Sequence, residues 1–346
     1  MSSPHPPQAR ILLIYTGGTF GMGEDADGIL VPFDFKSLIA QAPILKALPL
    51  KVTVISFDKP IDSSDIHPAH WQRLGEIILT YYDSHDGFIV LHGTDTMAYT
   101  SSALSFLLRG LKKPVILTGA QIPITKLRTD ARDNLVTALE IAASKNEIGE
   151  PVVREVCIYF DHFLLRGNRA QKVQSNLFDA FNSTNYPVLA ESGIEITYFP
   201  DRMLPYHPDA VLDISSDWSS NVALIKLFPG IQNKFLASQL LDKNLGGAVI
   251  ETFGMGNAMD EDWFLGLLDR AIKNGALLMN VSQCPGGEVV QGKYKTSAKM
   301  KDLGVISGRD ITPEAAITKM MYVLGQQISV QEQKAILENP LSGEMT

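Results

Sequence analysis

Short, wholly apolar runs alternate along this chain with stretches whose apolar residues recur at helical spacing. Arg10–Tyr15 (RILLIY), Lys51–Ser56, Gly87–Leu91 (GFIVL), Pro114–Leu117 and Glu155–Phe160 read as strands buried on both faces of a parallel sheet. Phe35–Ala42, Ala69–Tyr82, Ala98–Leu108 and Asp130–Ala143 are the helices predicted around them. This alternation predicts an α/β fold with a doubly wound, mostly parallel sheet. It breaks between Phe199 and Ser220, where Pro200, Pro205 and Pro208 interrupt the pattern. It resumes with strands Val222–Leu227, Gly247–Phe253 and Ala276–Val281, and with helices Lys234–Leu241, Glu261–Lys273, Thr312–Gln326 and Val330–Glu338. The expectation is a larger N-terminal domain over 1–198, a linker over 199–218 and a smaller C-terminal α/β domain over 219–346.

Polar chemistry collects where the strands end. Thr16-Gly17-Gly18-Thr19 follows the first strand, and adjacent glycines let a backbone turn sharply against a ligand. The Gly/Asp-rich segment Phe20–Leu30 behind them reads as a flap or an ordinary surface loop. His92-Gly93-Thr94-Asp95-Thr96 follows the third strand, and Thr118-Gly119-Ala120-Gln121 follows the fourth. The carboxyl ends of parallel strands are where such sheets bind ligands, and helix N-termini there add free N–H donors. Capping alone accounts for Thr94, Asp95 or Thr96 taken singly. Ile61-Asp62-Ser63-Ser64-Asp65-Ile66-His67-Pro68 is a helix-start signature, although one cap does not need four such residues.

Composition narrows the partners. With 346 residues, 45% hydrophobic and 20% charged, the chain has the make-up of a globular protein long enough for two cores. A formal charge of −8 argues against nucleic acid or an anionic membrane as partner. Met1–Arg10 is polar and Pro-rich, without an apolar signal segment, and no apolar run reaches membrane-spanning length. Cys157 and Cys284 sit in apolar contexts and read as reduced and buried, as in a cytoplasmic protein.

Several common motifs fail. Gly287–Lys293 has Walker spacing, but Tyr294 stands where a magnesium-binding Ser or Thr belongs. Gly254-Met255-Gly256 lacks the third glycine of a dinucleotide fingerprint. His67 and His70 share a helix face without further ligands and read as surface or capping residues, so no metal site is expected. There remain Thr16, Thr19, Ser63, Ser64, Thr94, Asp95 and Thr118 at successive strand ends. A threonine hydroxyl attacks only when a neighbouring base takes its proton. The nearest candidates are Asp95 and Lys172, the latter in the basic stretch Arg166–Lys172. By composition Lys172 reads as a surface lysine, and an exposed lysine titrates too high to act as a base. Burial would change that.

The TGGT at Thr16–Thr19, together with GFIVLHGTDTM at Gly87–Met97, resembles the bacterial-type L-asparaginases, most closely the cytoplasmic (type I) branch. Asp62-Ser63-Ser64-Asp65, Thr118–Gln121, Arg166-Gly167-Asn168-Arg169 and Gly254–Asn257 extend the likeness over nearly the whole chain. The resemblance implies hydrolysis of L-asparagine to L-aspartate and ammonia through an acyl-enzyme on threonine. It implies Thr19 as nucleophile, with Thr94, Asp95 and Lys172 as a proton relay. Asp95 would also pair the substrate's α-ammonium, and Ser63 with Asp62 and Ser64 would hold its α-carboxylate. Asn257 would reach the neighbouring subunit's site in a homotetramer built from intimate dimers. No metal or organic cofactor is implied.

Three departures stand out. Phe20 follows TGGT where Ile or Val is usual. No tyrosine stands in the flap between Gly21 and Val31, and Ile29 or Leu30 falls nearest its expected place. Glu251, beside Thr252 and facing Ser282-Gln283-Cys284, occupies the place of an arginine with which some cytoplasmic members bind regulatory asparagine. A carboxylate there repels that effector's own carboxylate. A mixed glutaminase-asparaginase, an amidotransferase subunit and a non-catalytic amino-acid sensor are the competing readings. The acidic surface counts against an amidotransferase acting on tRNA, and an intact Thr19–Thr94–Asp95–Lys172 set counts against a sensor.

Overall fold

The computed structural model describes residues 8–24, 30–32, 48–214 and 217–346. The helix predicted over Phe35–Ala42 and the middle of the Gly/Asp-rich segment, with Ile29, lie outside the described residues. The chain divides into two compact units, one of residues 1–183 and 187–214, the other of 184–186 and 215–346.

In the first unit β1 (Ala9–Tyr15) is buried from Ile11 onward. A short antiparallel hairpin follows, β2 (Met22–Glu24) with β3 (Leu30–Pro32). Then come β4 (Leu50–Ser56), α1 (Pro68–Tyr81), β5 (Gly87–Leu91), α2 (Met97–Leu107), β6 (Val115–Thr118), α3 (Ala131–Ala143) and β7 (Val156–Phe160). β1 lies between β4 and β5 and is parallel to both, and β5, β6 and β7 continue in parallel. The chain therefore winds one way from β1 to β4 and the other way from β5 onward. β1 and β5 thus flank the switch point, the place at which open α/β sheets bind ligands.

The far edge of the sheet is antiparallel, which the apolar pattern does not predict. β7 turns back into β8 (Phe163–Arg166) through Asp161 and His162, whose φ values are 42° and 73°. β9 (Gln171–Lys172) and β10 (Phe181–Asn182) form a separate antiparallel ribbon, and β11 (Ala190–Ser192) and β12 (Ile196–Tyr198) complete the edge. These strands have two to four residues each, too short to carry a period of two.

The stretch expected as a basic loop is anchored in the core. Arg166 and Arg169 are both buried, and Arg166 Nε donates to Glu155 Oε2 at 2.7 Å. Arg166 also donates to the Arg202 carbonyl at 2.9 Å, and Glu155 Oε1 accepts from the Leu204 N–H at 2.8 Å. Asp213 bridges Arg109 further along. Residues 199–214, expected as linker, thus pack as part of the first unit.

Breaking a buried ion pair from one side leaves the other charge stranded, at a cost of about 3–5 kcal/mol. Arg166→Met is therefore expected to lower the thermal midpoint by roughly 6 °C or more. Arg166→Met/Glu155→Gln, which removes both charges and keeps an acceptor for Leu204, is expected to recover part of that loss. A double variant no more stable than the single would remove the ion pair from this account.

The second unit is a parallel sheet in sequential order, β13 (Val222–Lys226), β14 (Gly247–Thr252), β15 (Leu277–Ser282) and β16 (Ile306–Ser307). Its helices are α4 (Asn233–Leu240), α5 (Asp262–Lys273), α6 (Lys295–Leu303), α7 (Pro313–Gly325) and α8 (Val330–Glu338). Ala248 and Ile250 point into a core with Leu236, Leu240, Phe264 and Leu268, while Gly247 presses against Met320 of α7. Helix α6 escapes the sequence pattern because it buries Thr296, Ser297 and Met300 rather than an apolar stripe. Cys157 is buried as expected, but Cys284 is exposed in the loop after β15, where Pro285, Gly286 and Gly287 follow it outside the core.

Candidate active site

The turn after β1 is built to let backbones touch. Thr16 stays tied to β5, with its N–H and its hydroxyl both donating to the Leu91 carbonyl at 3.0 Å. Gly17 and Gly18 adopt φ of 138° and 85°. A Cβ on Gly17 would fall 2.2 Å from the Ile61 carbonyl, and one on Gly18 2.5 Å from the Gly93 Cα. Only glycine allows both the conformation and the approach. Thr19 comes directly after this contact, half-buried at the head of a single 3-10 turn, Thr19–Gly21. Phe20 is fully buried behind it, and its carbonyl accepts from the Ile124 N–H at 3.3 Å.

The second wall is a 3-10 turn, Ser63–Asp65. Asp62 Oδ1 accepts from the Ser64 N–H at 2.9 Å and from its hydroxyl at 2.8 Å. These bonds hold the Asp62 carboxyl below its ordinary range. Ser63 is buried, with its hydroxyl against Gly93: a Cβ there would lie 2.6 Å from Ser63 Oγ. Thr96 Oγ1 donates to the Ser63 carbonyl at 2.6 Å. Within residues 61–68, Asp62, Ser63 and Ser64 take no part in capping α1. His67 caps it, its N–H donating to His70 Nδ1 at 3.2 Å. Among the described residues no three His, Cys, Asp or Glu side chains are grouped to hold a metal ion.

Lys172 completes the cluster from β9. Its Nζ donates to Thr94 Oγ1 at 2.8 Å and to Asp95 Oδ1 at 2.6 Å. Its side chain is 16% exposed against 67% for Asp95, so the surface position expected from composition does not hold. The β9–β10 ribbon draws it inward, an arrangement that two-residue strands do not announce in sequence. Thr94 donates its own proton to Gln121 Oε1 at 3.2 Å. Gln121 Nε2 is in turn held by the carbonyls of Ser175 and Leu177, and its backbone N–H by Asp130 Oδ2. The role of Gln121 in fixing that hydroxyl was not legible, although TGAQ at a strand end marked the place.

Behind Thr94 lies a buried imidazole. His92 Nδ1 is 2.7 Å from the Gly93 carbonyl, which can only accept, so Nδ1 carries the proton and Nε2 is left as acceptor. The Thr100 hydroxyl is 2.9 Å from Nε2 and receives the Trp71 Nε1–H at 3.1 Å. Burial pushes His92 down to about 4. Unfolded histidine takes up its proton near 6.5, so protonation favours the unfolded chain as pH drops from there to about 4. The loss reaches on the order of 3 kcal/mol at the lower end. The thermal midpoint is expected to fall from pH 7 to pH 4.5, and to fall less steeply in His92→Asn. Equal slopes would contradict a neutral buried imidazole.

Thr19, Asp62, Ser63, Ser64, Thr94, Asp95 and Lys172 all belong to the first unit. Asn257 belongs to the second, in a tight loop where Phe253 and Asn257 exchange backbone hydrogen bonds. Its Oδ1 is enclosed without a hydrogen-bond partner among the described residues. Glu251, at the end of β14, lies 3.7 Å from Lys226, and its carbonyl accepts from Gln283 Nε2 at 2.8 Å.

Comparison with known proteins finds matches over nearly the whole chain. The family model described as asparaginase, N-terminal, matches residues 10–203, and that of the glutaminase/asparaginase C-terminal domain matches residues 221–337. L-asparaginase 1 of Escherichia coli (strain K12) is 37% identical over 338 residues, covering 97% of this chain and 98% of that protein. The 60 kDa lysophospholipase of Homo sapiens is 38% identical over 369 residues, and the match takes in 62% of its length. The crystal structure of L-asparaginase I from Vibrio cholerae superposes with a TM-score of 0.89 at 38% identity, covering 98% of this chain and all of that one.

Proposed function

The chain belongs to the asparaginase family, and from that premise we propose that it hydrolyses L-asparagine to L-aspartate and ammonia through an ester on Thr19. The observation that carries this reading is the Lys172 amine, in contact with both Thr94 Oγ1 and Asp95 Oδ1. Binding an amino acid needs no such relay.

Thr19 Oγ attacks the side-chain carbonyl carbon, and the carbon–nitrogen bond breaks as ammonia leaves with an added proton. Water then cleaves the ester, returning the hydroxyl to Thr19. Lys172 takes up and returns the protons through Thr94. At rest Thr94 donates to Gln121 and accepts from Lys172; for the amine to take up a proton, the Thr94 hydroxyl turns from Gln121 toward Nζ. The exposed Asp95 carboxylate pairs the substrate's α-ammonium. Ser63 receives the α-carboxylate, while Asp62, engaged by Ser64, shapes the turn that presents it. Asn257 serves the partner's site in a homotetramer of intimate dimers. A cytoplasmic location fits the two unpaired cysteines. No helix among the described residues is long and apolar enough to cross a membrane.

Ammonia release from L-asparagine and, separately, L-glutamine tests the reading. Asparagine is expected to be preferred, with glutamine slower by roughly 10–200-fold, the discrimination one methylene provides. A comparable glutamine rate would make the protein a mixed glutaminase-asparaginase. No ammonia from either would remove the proposed activity.

Glu251 bears on regulation. With a carboxylate in place of a cation, an effector's carboxylate is repelled rather than paired. Initial rates are expected to follow a hyperbola in asparagine concentration, and a sigmoidal curve would contradict this.

A further inference from the structure

Gly93 is where the site's backbones cross. Gly18 approaches it from the turn after β1 and Ser63 Oγ from the second wall. Gly119 approaches just before it, since a Cβ on Gly119 would lie 2.4 Å from the His92 carbonyl. Three segments thus pack on the His92–Gly93 peptide and the Gly93 Cα, immediately before the Gly93–Thr94 peptide. Inside the fold the His92 imidazole holds that peptide, donating from Nδ1 to the Gly93 carbonyl.

A trans peptide is planar and points its N–H opposite its C=O. Among the described residues there is no cis bond. Anchoring the Gly93 carbonyl on the buried imidazole therefore aims the Thr94 N–H away from the core. It also fixes the plane from which the Thr94 side chain departs toward Lys172. The remaining imidazole nitrogen is used up by Thr100, which Trp71 orients in turn. The chain Trp71–Thr100–His92–Gly93 is a run of single-direction hydrogen bonds ending on the peptide of Thr94.

We infer that His92 is a positioning residue for the amide hydrolysis, acting through the Gly93 carbonyl to hold the Thr94 peptide and hydroxyl in their working geometry. This rests on the proposed reaction for what Thr94 does there. The inference separates two hydrogen bonds that a merely structural histidine would not distinguish. The asparagine amide nitrogen occupies the place of imidazole Nδ1, whereas the glutamine amide group occupies that of Nε2. His92→Asn thus keeps the bond to Gly93 and gives up Thr100. His92→Gln does the reverse.

The experiment is steady-state asparagine hydrolysis and thermal melting of wild type, His92→Asn, His92→Gln and His92→Ala. Nitrogen-15 NMR of the histidine ring and of the Thr94 amide accompanies them. Rate and stability are expected to part company. His92→Asn should keep kcat within about tenfold, while His92→Gln and His92→Ala lose on the order of 10²-fold, the effect of a misplacement near 1 Å. KM should stay within about threefold in all three. His92→Gln should melt closest to wild type. The wild-type ring should show Nδ1 protonated, and the Thr94 amide should shift more in His92→Gln than in His92→Asn. A kcat in His92→Gln at or above that of His92→Asn would overturn the inference, as would a ring protonated at Nε2. If wild type releases no ammonia, the proposed reaction fails on its own, and the ring tautomer and Thr94 shift decide whether His92 holds this peptide.

Discussion

Thr19→Ala is expected to lower asparagine turnover by on the order of 10⁴-fold or more, since removing the attacking atom of a covalent mechanism leaves only binding and electrostatic assistance. The loss should come without a loss of fold. Thr19 is half-buried at the head of a single 3-10 turn, and the packing of that turn rests on Gly17, Gly18 and Phe20. The thermal midpoint should accordingly stay within about 2 °C, the range of a surface substitution away from core or cap. KM should move little, because the α-carboxylate and α-ammonium are assigned to Ser63 and Asp95. Rapid acid quenching of wild type during turnover, followed by peptide mass analysis, should find one β-aspartyl group on the peptide containing Thr19. An adduct on Thr94 instead, with ammonia release surviving in Thr19→Ala, would reverse the assignment of the two threonines.

That assignment was legible in sequence to an uneven degree, and the unevenness has physical causes. The strands β1, β5, β6 and β7 are buried on both faces, so they appear as unbroken apolar runs, and the polar residues at their ends stand out against them. The glycines of TGGT announce a close backbone approach, and the structure supplies what they approach, Ile61 and Gly93. Lys172 was the obscure one. Its burial depends on a two-residue ribbon and on long-range contact with Thr94 and Asp95, neither of which leaves a periodic trace. His92 was obscure for the opposite reason. It stands inside the most specific motif of the chain, but its neighbours Thr100 and Trp71 come from two helices, and sequence spacing alone does not bring them together. The same holds for Arg166, whose partner Glu155 lies across the β7–β8 turn. Local pattern located the strand end that carries His92 but missed the short strands that carry Arg166 and Lys172, and in each case the long-range partner decided what the side chain does.

Lys172→Met and Lys172→Arg are expected to fail alike in rate, by on the order of 10²–10⁴-fold in kcat, the range that a positioned acid–base group contributes. Their agreement is informative because they differ in charge. Methionine removes the cation and leaves Asp95 without its 2.6 Å partner. Arginine stays protonated at every working pH, so it restores a cation beside Asp95 but takes up no proton. If Lys172 served only to hold Asp95 and Thr94 in place, arginine would recover much of the activity that methionine loses. If it moves protons, arginine recovers almost none. A small primary amine in the buffer should then partly restore Lys172→Ala, with a rate that follows the basicity of the added amine. Thr94→Val should lose a similar factor, and the double variant Thr94→Val/Lys172→Met little more than either single one, since groups that pass one proton act as a unit. Substantial recovery by arginine, or additive losses in the double variant, would leave Lys172 as an electrostatic anchor and return the search for the base to Asp95.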